Sequence, residues 1–212
     1  RDDLRNDGTA KTDEEKKAEE DAVAAGKSGD AVKDVGSLTA TGGSYGGDGG
    51  AGIGGGGAYY SSGKNTSSIV INGGKITATG GEGAAGIGGG GLCSGYGGKV
   101  NKNDPDDRSQ TITINGGNVT ASGGENAAGI GGGMQGNGGS VTINGGEVTA
   151  TGGNQAAGIG SGTMGGRIQI QINGGTVNAT GGSQGAGIGD GMECSNDGSI
   201  TITGGTVTAT GG

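Results

Sequence analysis

The residues able to do chemistry are few, and their spacing limits what they can do. Histidine is absent, which removes the commonest general base, the imidazole zinc ligands, and the Ser-His and Cys-His nucleophile pairs. The densest carboxylate cluster is Asp104, Asp106 and Asp107, beside Pro105 and flanked by Lys102 and Arg108. Three carboxylates so close could hold a hard cation through oxygen ligands. No ordered ligand spacing or turn glycine accompanies them, so a solvated polar loop is the favoured reading and the metal site a weak candidate. Glu82, Glu125, Glu147, Asp190 and Glu193 are scattered, whereas glycoside hydrolysis needs two carboxylates converging on one bond. Gly52-Ile53-Gly54-Gly55-Gly56-Gly57 spells a dinucleotide-type glycine string, but it lacks the strand-to-helix setting that phosphate binding requires. These patterns offer no catalytic residue and no cofactor, and the chain reads as a non-enzyme.

The hydroxyl groups are better ordered. Thr39 and Thr41, Thr77 and Thr79, Thr120 and Ser122, Thr149 and Thr151, Asn178 and Thr180, and Thr208 and Thr210 recur as Thr-x-Thr pairs. Alternate side chains of an extended segment share a face, so stacking the pairs would give a flat, uncharged grid of hydroxyls and methyls. Such a grid could order water as an ice surface does, and ice-binding solenoids resemble this arrangement. Threonine's β propensity and cross-strand pairing account for the same residues through stability alone, and both readings stand.

Two smaller sets remain. Tyr45, Tyr59, Tyr60 and Tyr96 are the only aromatics, and the last three lie in or beside insertions. Tyr59, Tyr60 and Tyr96 are therefore the candidate contacts for a glycan or protein partner, with solvated loop side chains as the alternative. Cys93 and Cys194 follow Ile87 and Ile188 at the same interval, which gives them one phase in the repeat. Three repeats separate them, too far for a disulfide unless the insertion after Cys93 folds back over the chain between, so free thiols are expected.

Composition says what must position these groups. Of 212 residues, 62 are glycine and one is proline, and only 28% are hydrophobic. Collagen is excluded because glycine does not fall at every third position. An ordinary layered core is excluded by the shortage of large apolar side chains, so the fold must be thin. The net charge of -8 disfavours nucleic acid and anionic bilayers as partners. No apolar stretch nears the roughly 20 residues of a membrane-spanning helix, and the Arg1 start lacks a signal-peptide profile, so a mature product or fragment is expected.

Residues 1–36 hold more than half of both the acidic and the basic side chains, and the composition changes near Gly36. Thr12 and Glu15 have capping-box spacing, Asp13 to Ala25 is rich in alanine and charge, and Gly26 sits where a helix would stop. A short helical cap or linker is expected there. From Ser37 onward three phrases recur in fixed order, exemplified by Val148-Thr149-Ala150-Thr151-Gly152-Gly153, Ala157-Gly158-Ile159-Gly160 and Val141-Thr142-Ile143-Asn144-Gly145-Gly146. Ile130, Ile159 and Ile188 mark a period of 29 residues, and the first two repeats are lengthened by insertions near 58–68 and 92–110. Strand-length phrases at this period mean a stacked β-solenoid. We expect an all-β, right-handed parallel β-helix of about five coils with three short strands each over 37–212. Val148, Ala150, Val141 and Ile143 should point inward, glycine pairs should form the corners, and Asn72, Asn115, Asn144 and Asn173 should stack as a hydrogen-bonded ladder.

The phrases Glu147-Val-Thr-Ala-Thr-Gly-Gly, Ala157-Gly-Ile-Gly and Val141-Thr-Ile-Asn-Gly-Gly resemble the glycine-rich repeats of large surface proteins of Gram-positive, gut-type bacteria, sometimes labelled carbohydrate-binding domains. The resemblance covers Ser37 to Gly212 and implies a secreted or wall-attached stalk or adhesin; it carries over no site residues. The leading expectation is thus an extracellular structural and adhesive module that presents its insertions to a glycan or to a host or matrix protein. Ice binding through the threonine face comes second, and a polysaccharide-active β-helix enzyme third. The open sheet edge at Gly212 invites end-to-end self-association.

Overall fold

A computed structural model of the chain describes residues 36–44, 49–59, 68–93, 110–194 and 198–212, with backbone alone at 58, 59, 92, 93 and 137. The helix expected over Asp13 to Ala25 lies outside the described residues. The chain divides into two compact units, Arg1–Gly36 and Ser37–Gly212, and every described strand belongs to the second.

Three parallel sheets make up this second unit. The first has six strands in the order β1 (Ser37–Thr41), β5 (Lys75–Thr79), β9 (Asn118–Ser122), β12 (Glu147–Thr151), β15 (Thr176–Thr180) and β18 (Thr206–Thr210). The second stacks two-residue strands: β2 (Ile53–Gly54), β6 (Ile87–Gly88), β10 (Ile130–Gly131), β13 (Ile159–Gly160) and β16 (Ile188–Gly189). The third stacks β4 (Ser68–Ile71), β8 (Thr111–Ile114), β11 (Asn137–Ile143), β14 (Gly166–Ile172) and β17 (Ser199–Ile202). Each strand therefore pairs with its counterpart one coil away, never with its sequence neighbour. A short fourth pair, β3 (Ala58–Tyr59) with β7 (Leu92–Cys93), joins the first two coils.

Alternation decides what is inside. In β12 the burial pattern runs exposed, buried, half-buried, buried, exposed, which places Val148 and Ala150 in the core and Thr149 and Thr151 outside. Register multiplies that choice into columns. Val119, Val148 and Val177 stack, as do Ala121, Ala150 and Ala179, and both columns are essentially solvent-free. Ile87, Ile130 and Ile159 form a third column at 0% exposure, with Ile112, Val141 and Ile170 and then Ile114, Ile143 and Ile172 closing the core.

Glycine permits a tube this narrow. The middle glycine of each Ala-Gly-Ile-Gly phrase faces the backbone of the first sheet: a Cβ on Gly129 would stand 2.7 Å from the Thr151 nitrogen and 2.7 Å from the Gly158 carbonyl oxygen. Gly86 and Gly158 meet Ser122 and Thr180 in the same way. The walls touch main chain to main chain, and rung-to-rung hydrogen bonds such as Ile130 N–H to Gly158 O at 3.0 Å satisfy the groups thus buried. At the Asn-Gly-Gly corners the second glycine takes a left-handed conformation, φ 91° at Gly146 and 88° at Gly175, which a side chain would resist.

One core position breaks the apolar rule. Gln110 is fully buried where the neighbouring coils carry Gly139 and Ile168. Its Nε2 donates to the Gly131 carbonyl, but its Oε1 has no partner. Because the Gly131 oxygen also accepts from Gly89 N–H at 2.9 Å, it stays satisfied without the glutamine. Gln110→Ile should therefore raise the unfolding free energy by about 1 kcal/mol, since removing an orphaned buried carbonyl outweighs losing one shared bond; a lower melting temperature would refute this. Gly129→Ala should cost about 1–3 kcal/mol through forced backbone displacement. Gly73→Ala, where nothing lies within 4 Å of the new Cβ, should stay within about 0.5 kcal/mol of the parent. Thermal unfolding followed by far-ultraviolet circular dichroism checks all three variants.

Candidate functional site

The threonine pairs do form a single surface. Thr39, Thr77, Thr120, Thr149, Asn178 and Thr208 are paired in one column, and Thr41, Thr79, Ser122, Thr151, Thr180 and Thr210 in the next. Parallel pairing without a register slip sets the columns roughly 6.6 Å apart along the strands and the rungs about 4.8 Å apart. Every one of these twelve side chains is exposed or half-buried on the outer side of the first sheet.

The same strands carry a third outward column that the Thr-x-Thr reading leaves out. It consists of Ser37, Lys75, Asn118, Glu147, Thr176 and Thr206, the first residue of each strand, all exposed. The sheet is therefore uncharged over two columns and edged by charge at two rungs, and the Asn118 amide donates to Glu147 Oε2 at 3.0 Å. A reading that starts each phrase at its valine or isoleucine misses this border, although the strand alternation contains it.

The insertions have a defined base. Ala58 pairs with Leu92 and Tyr59 with Cys93 as the chain leaves the first two coils, and Ser68 pairs with Thr111 where it returns. Both excursions thus leave and re-enter on adjacent rungs. Tyr59 is placed in β3 through its backbone. Tyr60 and Tyr96 lie outside the described residues, as do Asp104, Asp106 and Asp107.

Of the remaining polar groups, Ser161, Asp190 and Cys194 are joined in structural hydrogen bonds. Ser161, fully buried, donates to Asp190 Oδ1 at 3.0 Å and accepts from Gly191 N–H at 3.2 Å. Cys194 carries a free thiol that donates to the Gly162 carbonyl at 3.2 Å and lies 3.3 Å from Ser161 Oγ. This arrangement ties the last turns together. Glu82 and Glu125 sit on turns, Glu147 heads β12, and Glu193 is exposed with φ 56°. Among the described residues no group of three or more Cys, Asp or Glu could hold a metal ion, and no helix is long and apolar enough to cross a membrane.

At the corner between the third and first sheets the expected amide ladder is present. Asn115 Nδ2 donates to Asn72 Oδ1 at 2.7 Å, Asn144 to Asn115 at 2.8 Å and Asn173 to Asn144 at 2.8 Å, and the Thr203 hydroxyl ends the row on Asn173 Oδ1 at 2.9 Å. All bonds run in one direction, so each amide within the row both donates and accepts along the stack.

Neither a curated protein nor a solved structure matches this chain. A family model described as a beta helix repeat matches residues 69–91, 112–134, 141–163, 170–192 and 200–212, each match opening on a strand of the third sheet. The coils from Ile69 to Gly212 are beta helix repeats, and the chain is a parallel β-helix repeat protein.

Proposed function

We propose that the protein is an extracellular structural and adhesive module of a bacterial surface protein, in which a rigid β-helix presents two insertions to a glycan or protein partner. The observation that carries this reading is the β3–β7 pairing: it sets the bases of both insertions on adjacent rungs, which supports reading them as parts of one recognition surface. Recognition commonly resides in variable loops held by a stiff scaffold, and the stacked core supplies the stiffness. Tyr59, Tyr60 and Tyr96 fall at or within these excursions and would give the stacking area that a sugar ring or an apolar protein patch requires. Replacing 60–67 or 94–109 with a short turn, while keeping β3, β4, β7 and β8, should leave the β-sheet circular dichroism signal intact. The same variants should abolish glycan-array or cell-surface binding, and binding retained by a folded chain lacking both insertions would overturn the assignment.

A second reading is favoured by one specific observation, the slip-free register of the two hydroxyl columns. Ice would be the ligand, held by a two-column face with methyl and hydroxyl groups at lattice-like intervals. Under that reading, Thr149→Tyr and Thr151→Tyr should each remove thermal hysteresis and ice shaping, because a ring standing off the face prevents close apposition. Hysteresis that survives both changes would exclude this face.

A further inference from the structure

We infer that the Asn-Gly corner is a site of spontaneous covalent modification whose rate is set, residue by residue, by the amide ladder. Asn72, Asn115, Asn144 and Asn173 are each exposed and each followed by glycine, the neighbour that least hinders ring closure onto the asparagine side chain. Among the described residues, the N–H groups of Gly116, Gly145 and Gly174 donate to no backbone carbonyl, so the attacking nitrogen is not held elsewhere. In the reaction the Gly145 nitrogen bonds to Asn144 Cγ, the Cγ–Nδ2 bond breaks, and Nδ2 leaves as ammonia with the glycine proton. Water then opens the succinimide at either carbonyl to give aspartate or isoaspartate; nothing is oxidised or reduced.

The ladder acts on the leaving group. Asn144 Nδ2 is committed to Asn115 Oδ1 at 2.8 Å, and Asn173 Nδ2 to Asn144 Oδ1 at 2.8 Å. Turning the Asn144 carboxamide toward the Gly145 nitrogen breaks its donation to Asn115 and the bond its Oδ1 accepts from Asn173. Conversion then replaces a donor with an oxygen facing the Asn115 carbonyl, so a single event removes one rung of the row and leaves two acceptors opposed.

The direction of the bonds supplies the test. Each variant is incubated, as the full chain, in mildly alkaline buffer at physiological temperature, and peptide mapping follows amide-to-acid conversion and isoaspartate at every Asn-Gly. Asn115→Ala removes the acceptor of Asn144 and should speed conversion there about 2- to 10-fold, the factor one hydrogen bond accounts for, leaving Asn173 unchanged. Asn173→Ala removes a donor that both restrains the Asn144 carboxamide and polarises its carbonyl toward attack; the two effects oppose, so the Asn144 rate should change less than in Asn115→Ala. Equal acceleration at Asn144 in both variants, or none in Asn115→Ala, would overturn the inference. Should either variant fail to fold, the wild-type protein decides: Asn115, Asn144 and Asn173 must convert more slowly in the folded chain than in urea, and equal or faster folded rates would refute the restraint.

Discussion

Backbone meeting backbone inside a narrow tube is the constraint on which the rest of this structure depends. Where Gly129 faces Thr151, no room exists for even one carbon atom between the walls, and the same contact repeats from coil to coil. A wider tube would need large side chains to fill it, and the chain has neither phenylalanine nor tryptophan. Glycine loses more conformational entropy on folding than any other residue, so its abundance is explicable only if the close approach yields dispersion contacts and well-made hydrogen bonds in return. Isoleucine, valine and alanine occupy what interior remains, and each column repeats nearly the same side-chain volume.

That constraint also fixes the outside. Inward glycines and aliphatics leave no tolerance for a one-residue slip, because a shift would turn threonines into the core. The outer columns consequently inherit the register of the inner ones. Hydroxyls align on the first sheet, amides at one corner, and the two insertions at a shared base, all from a single requirement inside. A surface that presents groups at constant intervals is thus a by-product of how the core closes, and function can be placed on it without altering the packing. The two proposed modes of recognition, through the insertions and through the threonine columns, would draw on the same property.

Legibility in the sequence followed the repeat. Val148 and Ala150 inside, Thr149 and Thr151 outside, and the stacked Asn72, Asn115, Asn144 and Asn173 were all readable, because each occurs several times at constant phase and alternation has only one consistent solution. What occurs once was not readable. Gln110 ends an insertion and looks like loop sequence, yet it fills a core column opposite Gly139. Ala58-Tyr59 and Leu92-Cys93 share no pattern, so their pairing rests on geometry imposed by the coils that carry them. Gln135, Met164 and Glu193 adopt φ of 59°, 58° and 56° at equivalent turns, left-handed positions where sequence alone would favour glycine. The charged border of Lys75 and Glu147 was present in the alternation but hidden by where the phrases begin.

Amide hydrogen exchange resolved by peptide tests the stacked backbone most directly. If each coil hydrogen-bonds to the next, the N–H groups of Ile87, Ile130 and Ile159, all donors to the following rung, should exchange far more slowly than those of an unstructured glycine-rich chain, and to a similar degree. Exchange of these amides at the unprotected rate in native buffer would contradict the account, because walls this close cannot persist without the bonds that join them.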